Sequence, residues 1–216
     1  MVVPQDTAQK AEALLTNGNP STFYFTRDIA TEVKQADGIE QASEQTYISS
    51  LAAACCDEKL QIIGYDPSTD FVIEPWVASQ FKGTLEDGKM IAGANVNVST
   101  DGTIELYGRK WPVVAQLANT GTSLDNSVFI NQATVPDMVA ASSKVSKQVM
   151  PMEYAGKAVS TVMIKVKQGY EAQTVAENIK RIDSRFADLG YVYPGGITAN
   201  TKTSLTALVT YLKVFV

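Results

Sequence analysis

Val159-Ser160-Thr161-Val162-Met163-Ile164-Lys165-Val166 is followed by Val175, Ile179, Ile182, Phe186 and Leu189, which step by four, three, four and three residues. The first stretch is rich in β-branched residues and reads as a strand. The second marks one face of an amphipathic helix. Gly190 is expected to close that helix, and Tyr191-Val192-Tyr193 to start another extended piece. The last third of the chain is therefore βα, and this unit sets the expectation for the rest.

Working back toward the start, Ala8, Ala11, Leu14 and Leu15 have helical spacing, and Asn17-Gly18-Asn19-Pro20 stops them. A second helix is expected from Thr26 to Ala36. Thr26 is its cap, Asp28 favours its first turn, Ile29 and Val33 form its buried stripe, and Asp37-Gly38 ends it. Strand-like runs follow at 45–51 and 59–65, and the polar break at Asp57-Glu58 between them reads as a hairpin. The middle is short strands and turns: Met90-Ile91-Ala92-Gly93, a turn at Asp101-Gly102 before 103–107, a turn at 108–110 into Trp111-Pro112-Val113-Val114-Ala115, a strand at 127–130, and a short helix near 134–142. The tail from Thr203 to Val216 is apolar with helical spacing and is broken by Lys213. At about 12 residues it is shorter than the roughly 20 needed to span a bilayer. It resembles the beginning of a segment continued elsewhere.

Composition narrows the function. The chain has 216 residues, 45% apolar and 19% charged, enough for one large domain or two small ones with real cores. A net charge of −5 disfavours nucleic acid and anionic lipid, which select for a Lys/Arg surplus. There is no His, which excludes Ser-His-Asp and Cys-His catalysis and removes the commonest metal ligand. No G-x-x-x-x-G-K-[ST] phosphate loop is present. No catalytic, cofactor-binding or metal-ligating residue is assigned, and the chain is read as a non-enzyme with no cofactor.

Four stretches together resemble the extracytoplasmic, MacB-like domain of FtsX/MacB-type ABC transporter permeases. They are Gly64-Tyr65-Asp66-Pro67-Ser68-Thr69-Asp70-Phe71 with Pro75-Trp76; 88–93; 109–117; and Thr120-Gly121-Thr122-Ser123-Leu124-Asp125-Asn126 running on to Ile130. The resemblance implies an α+β fold. A porter-like βαβ part is formed by both chain ends (1–65 and 155–200), a smaller sabre-like mixed α/β lobe is inserted at 66–154, and residues 201–216 start a membrane-entering helix. It further implies a domain outside the membrane, extracellular or periplasmic, between spans one and two of a permease. Its role would be mechanotransmission: carrying ATP-driven conformational change and contacting partner or substrate. Implied partners are a cytoplasmic ABC ATPase, a second permease copy or homologue and an extracytoplasmic protein, with no nucleic acid. Both chain ends are expected to meet on one side, with Val2 and Ala199 within about 20 Å.

Two segments are candidates for interaction. Tyr65, Asp66, Asp70, Phe71 and Trp76 form either a partner-binding or hinge segment or an Asp-Pro turn followed by core aromatics. Thr120, Asp125 and Asn126 belong either to a small ion site or to a loop of Asx-type turns. Glu40, Glu44, Asp57 and Glu58 read as surface charge. Cys55 and Cys56 are either one thiol buried as a small apolar group beside an incidental one, or a ligand- or metal/redox-responsive binding site of the same transport system. A disulfide between them would be strained, because adjacent Cα atoms lie about 3.8 Å apart and ordinary bridges want roughly 4.4 to 6.8 Å.

Overall fold

Both ends of the described chain lie in one large sheet. A computed structural model describes residues 1–50, 56–145 and 148–193. In chain order the elements are β1 (Val2–Val3), α1 (Ala8–Asn17), β2 (Phe25–Thr26), α2 (Arg27–Val33), β3 (Ile39–Ser49), β4 (Gln61–Tyr65), α3 (Glu74–Gln80), β5 (Met90–Ala92), β6 (Thr103–Leu106), β7 (Arg109–Gln116), β8 (Ser127–Asn131), α4 (Val135–Ser142), β9 (Ala158–Val159), β10 (Thr161–Val166), α5 (Ala172–Ile182) and β11 (Gly190–Tyr191). Nine strands pair in the order β11-β1-β10-β3-β4-β8-β5-β7-β6, and β2 pairs with β9 in a separate two-stranded sheet. Within the large sheet only β4–β8 and β5–β7 are parallel. The fold is thus mixed α/β around a mostly antiparallel sheet.

Alternation along the strands divides the core between two faces. Ile48, Ile62, Val128 and Ile130 pack beneath α4. Val2 and Val162 continue that face beneath α2 and α5, packed against Val33 of α2 and Val175 and Ile179 of α5. Tyr47, Ile63, Tyr65 and Phe129 point the other way, toward α1 and α3. The central strands carry apolar side chains on both faces, the pattern of a sheet covered on both sides.

The expected lobe at 66–154 does not have a sheet of its own. Its strands β5, β6, β7 and β8 extend the same sheet that contains β10. The physical reason lies at β4, whose outer edge would otherwise expose unpaired N–H and C=O groups. The buried run Val128-Phe129-Ile130 of β8 pairs there, with Ile62 opposite Val128 and Gly64 opposite Ile130. β3 and β4, the strands β5 to β8, and β10 therefore share one sheet.

Local expectations fare unevenly. α1 ends as read: Gly18 adopts φ 65° and donates its N–H to the Leu14 carbonyl. Thr26 stands at the cap of α2, but its side chain accepts no capping bond, and the buried stripe is Ala30 and Val33, with Ile29 only partly covered. The stretch 159–166 is two strands. Ser160 interrupts it: its hydroxyl accepts from Tyr47 N at 2.7 Å and donates to Phe23 O at 2.5 Å. That fixes the point where the chain crosses from the small sheet to the large one. The final helix is shorter than its apolar stripe implies. Asp183 turns extended and its carboxylate accepts from Arg185 N at 2.8 Å, which leaves Ile182 exposed while Phe186 stays buried. Gly190 does not close a helix; it pairs with Val3 in β11. Residues 201–216 and Ala199 lie outside the described residues.

Candidate functional site

β3 delivers a polar strip into the face covered by α3. Gln45 and Tyr47, two residues apart, point to the same side. The Tyr47 hydroxyl donates to Gln45 Oε1 at 2.8 Å, and Gln45 Nε2 donates to Asp70 Oδ2 at 2.8 Å. Asp70 Oδ1 accepts from the amides of Val72 at 2.8 Å, Ile73 at 2.5 Å and Glu74 at 3.1 Å. The amides of Ile73 and Glu74 are donors that the start of a helix leaves without intrahelical partners, and Val72 lies just before its cap. One buried carboxylate thus anchors α3 to β3. Burial, and then the Asp70 charge, push the Tyr47 phenol well above its ordinary range, so it acts as a neutral donor.

The other residues of this segment fall in place around it. Asp66 makes an Asx turn, its Oδ1 accepting from Ser68 N at 2.9 Å and from Ser68 Oγ at 2.6 Å. Tyr65 is fully buried and donates to Glu74 Oε2 at 3.0 Å. Burial first, and Glu74 next, raise its phenol far above normal. Trp76 meets Phe129 edge-to-face at 5.5 Å, and Phe71 is half-buried. Tyr65, Asp70 and Trp76 therefore hold α3 against the sheet.

The 120–126 loop closes on itself. Asp125 is 1% exposed. It accepts from Thr120 N and Thr120 Oγ1, each at 2.9 Å, and from Gly121 N at 2.7 Å. Burial alone raises this carboxyl, but the donors of Thr120 and then Gly121 outweigh it and hold the acid below its usual range. The donors that an anion would need are already engaged by Asp125. Asn126 is exposed and accepts from Asn95 Nδ2 at 3.3 Å.

Cys55 lies outside the described residues, and with it the question of a bridge to Cys56. The Cys56 sulfur accepts from Tyr107 N at 3.4 Å and packs beside the α4-side core. No cluster of three or more metal-ligating side chains occurs among the described residues.

All four carboxylates read as surface charge have partners: Glu40 Oε1 meets Lys165 Nζ at 2.6 Å on the exposed surface, and the other three are tied more closely into the fold. Glu44 lies between Arg27 Nε at 2.9 Å and Lys34 Nζ at 2.6 Å, its side chain only 13% exposed. Asp57 Oδ2 accepts from Glu105 N at 2.7 Å, and Glu58 Oε1 from Asn97 N at 2.6 Å. The sequence carries no local signal for these pairings, because each donor comes from a distant segment.

The first and last strands of the described residues pair with each other. Val2 pairs with Tyr191 and Val3 with Gly190, antiparallel. The chain before β1 and the chain after β11 thus lie at the same end of this strand pair. No described helix is long and apolar enough to cross a membrane.

No protein-family model matches this sequence, and no curated protein does. Two solved structures are similar to it over most of their length. The extracellular domain of the noncanonic ABC-type transporter YknZ from Gram-positive bacteria has 12% identity and a TM-score of 0.41, covering 84% of this chain and 89% of that one. The periplasmic region of MacB from Actinobacillus actinomycetemcomitans has 10% identity and a TM-score of 0.48, covering 82% and 83% respectively.

Proposed function

We propose that this chain is the extracytoplasmic domain of an FtsX/MacB-type ABC transporter permease, and that it transmits conformational change without catalysing a reaction. The observation that carries this reading is the pairing of β1 with β11. A domain inserted between two membrane spans must receive and return the chain at one bilayer surface. Antiparallel neighbours about 5 Å apart do this, and packed spans need only about 8 to 10 Å. The four stretches that resemble the family support the same reading. In this reading an ATPase on the cytoplasmic side drives the spans. The sheet carries the motion outward, because it runs unbroken from β11 and β1 to the far edge at β6. A second permease copy or an extracytoplasmic protein receives it.

The test is made on the full permease in whole cells. Ser99 is exposed on a turn before β6. A Ser99→Cys variant should react with a membrane-impermeant maleimide, above the level of the parent chain, without lysis. An ABC ATPase should co-purify with the detergent-extracted protein. Labelling that requires lysis, or extraction without any ATPase, overturns the reading.

A further inference from the structure

A polar cleft opens where β4 and β8 end. These strands are parallel neighbours, with Tyr65 opposite Asn131 at their carboxyl ends. From there the chain diverges. After β4 it passes to α3, whose Val77 packs on the face with Tyr65 and Phe129. After β8 it passes to α4, whose Val135 and Met138 pack on the opposite face with Ile62 and Ile130. Parallel strands whose connections leave to opposite faces create a crevice at their carboxyl ends, the general location of ligand sites in such sheets. The crevice here measures about 490 Å³, within the roughly 300–1,000 Å³ of small-molecule sites.

Its lining carries two cations and two carboxylates. Arg27 and Lys34 share Glu44, whose two oxygens are both occupied. Two cations on one carboxylate leave one positive charge in excess. Arg27 Nη1 is spent on the Gly156 carbonyl at 3.0 Å. Its Nη2 and the two remaining ammonium protons of Lys34 make no hydrogen bond among the described residues. Held by two bonds, the guanidinium presents its remaining edge in a fixed orientation. Asp66 lines the same cleft and forms no ion pair with either cation. Its Oδ1 is taken by Ser68 while Oδ2 has no described donor. The four charged groups sum to zero, and Asp66 stands outside the Arg27–Glu44–Lys34 ion cluster.

We infer that this cleft binds a small zwitterion, a free amino acid or a short peptide, with its carboxylate on Arg27 and Lys34 and its ammonium on Asp66. Charge-assisted bonds to both ends favour such a ligand over a simple anion, which Asp66 repels. The inference stands apart from the transport reading: it concerns the folded domain alone, with or without a permease around it.

Nuclear magnetic resonance titration of the domain tests it, with trialanine, alanine and acetate as probes at matched ionic strength. Trialanine or alanine should shift the amides of Lys34, Gly156 and Asn131 saturably in the millimolar range, about −4 kcal/mol, and acetate should bind more weakly. The better of the first two identifies peptide or amino acid as the source. Arg27→Gln and Lys34→Gln should each weaken binding about tenfold. Asp66→Asn should weaken the zwitterions and leave acetate unchanged or tighter. Lys82→Gln, an exposed cation outside the cleft, should change nothing. If Arg27→Gln unfolds the domain, Lys34→Gln and Asp66→Asn still decide. Shifts that never saturate, equal effects of Lys82→Gln and Lys34→Gln, or insensitivity to Asp66→Asn each overturn the inference.

Discussion

Met1 and Val192 exchange both backbone hydrogen bonds: Met1 N donates to Val192 O at 2.7 Å, and Val192 N donates to Met1 O at 2.9 Å. This is the hydrogen-bonded pair of an antiparallel ladder, with Cα atoms about 5.5 Å apart. It ties the first residue to the last part of the described chain, so a pull on one end is felt by the other and by β10 through β1. Val2 is the shared residue, pairing with Val162 on one side and Tyr191 on the other.

Gly190→Val should break that tie. A Cβ at this position would lie 2.7 Å from Val3 Cγ2, 3.2 Å from Ala8 Cβ and 3.3 Å from the Pro4 carbonyl. Crowding of this kind costs about 1–3 kcal/mol. Because β11 is a two-residue edge strand, it should detach locally. Hydrogen exchange should show the Val192 amide losing protection while Ile63, at the sheet centre, keeps it. Equal loss at both positions would mean global destabilisation and count against a local tie.

Much of this fold is legible in the chain because its strands and helices bury periodic apolar residues: β10, β8, α1 and α4 fall close to where alternation or helical spacing places them. The end of α5 is not, because Ile182 satisfies the helical period yet Asp183 captures the amide of Arg185 and ends the helix one residue later. The continuity of the sheet is equally hidden. Nothing around Ile62 says that Val128 will be its parallel neighbour. The Arg27–Glu44 and Gln45–Asp70 pairs share that difficulty, since residues 17 and 25 positions apart meet only after the strands are placed.

Removing Asp70 should loosen α3 more than it perturbs the sheet. Asp70→Ala leaves three amides and the Gln45 side chain without their acceptor. Charge-assisted bonds of this kind are worth about 1.5–3 kcal/mol, and stranded buried donors add to the loss. A drop of about 3 kcal/mol is expected in urea unfolding. Tyr47→Phe, which removes only the outermost bond of the network, should cost about 1 kcal/mol. A larger cost for Tyr47→Phe than for Asp70→Ala would mean that the network is not anchored at Asp70.

Asp125 should make stability depend on pH at the acid end. Its carboxyl is held below the ordinary value in the folded state, whereas the unfolded chain titrates near about 3.9. As pH falls through that range the unfolded state takes up the proton first. The stabilisation is therefore fully present above about pH 5 and declines as pH drops toward the folded value. Asp125→Asn should lose about 1–3 kcal/mol at pH 7 and much less at pH 3. Unfolding midpoints at both values measure the gap, and a gap that does not narrow would contradict the assignment.

Gly93→Ala should strike the same loop from its other side. A Cβ on Gly93 would sit 2.5 Å from the Leu124 carbonyl oxygen and 2.6 Å from that of Asp125. Both are backbone atoms, so no side-chain rotation relieves the clash. Gly93 cannot retreat without losing its own bond to the Ser127 carbonyl at 2.8 Å. The cost should be about 1–3 kcal/mol, against less than about 0.5 kcal/mol for Gly156→Ala, whose added carbon meets nothing within 4 Å. Because Gly93 and Asp125 brace the same turn, Gly93→Ala combined with Asp125→Asn should destabilise by less than the sum of the two. Neighbouring residues couple by about 0.5–3 kcal/mol. Strict additivity in a double-mutant cycle would show that the carboxylate nest and the Gly93 contact support the loop independently.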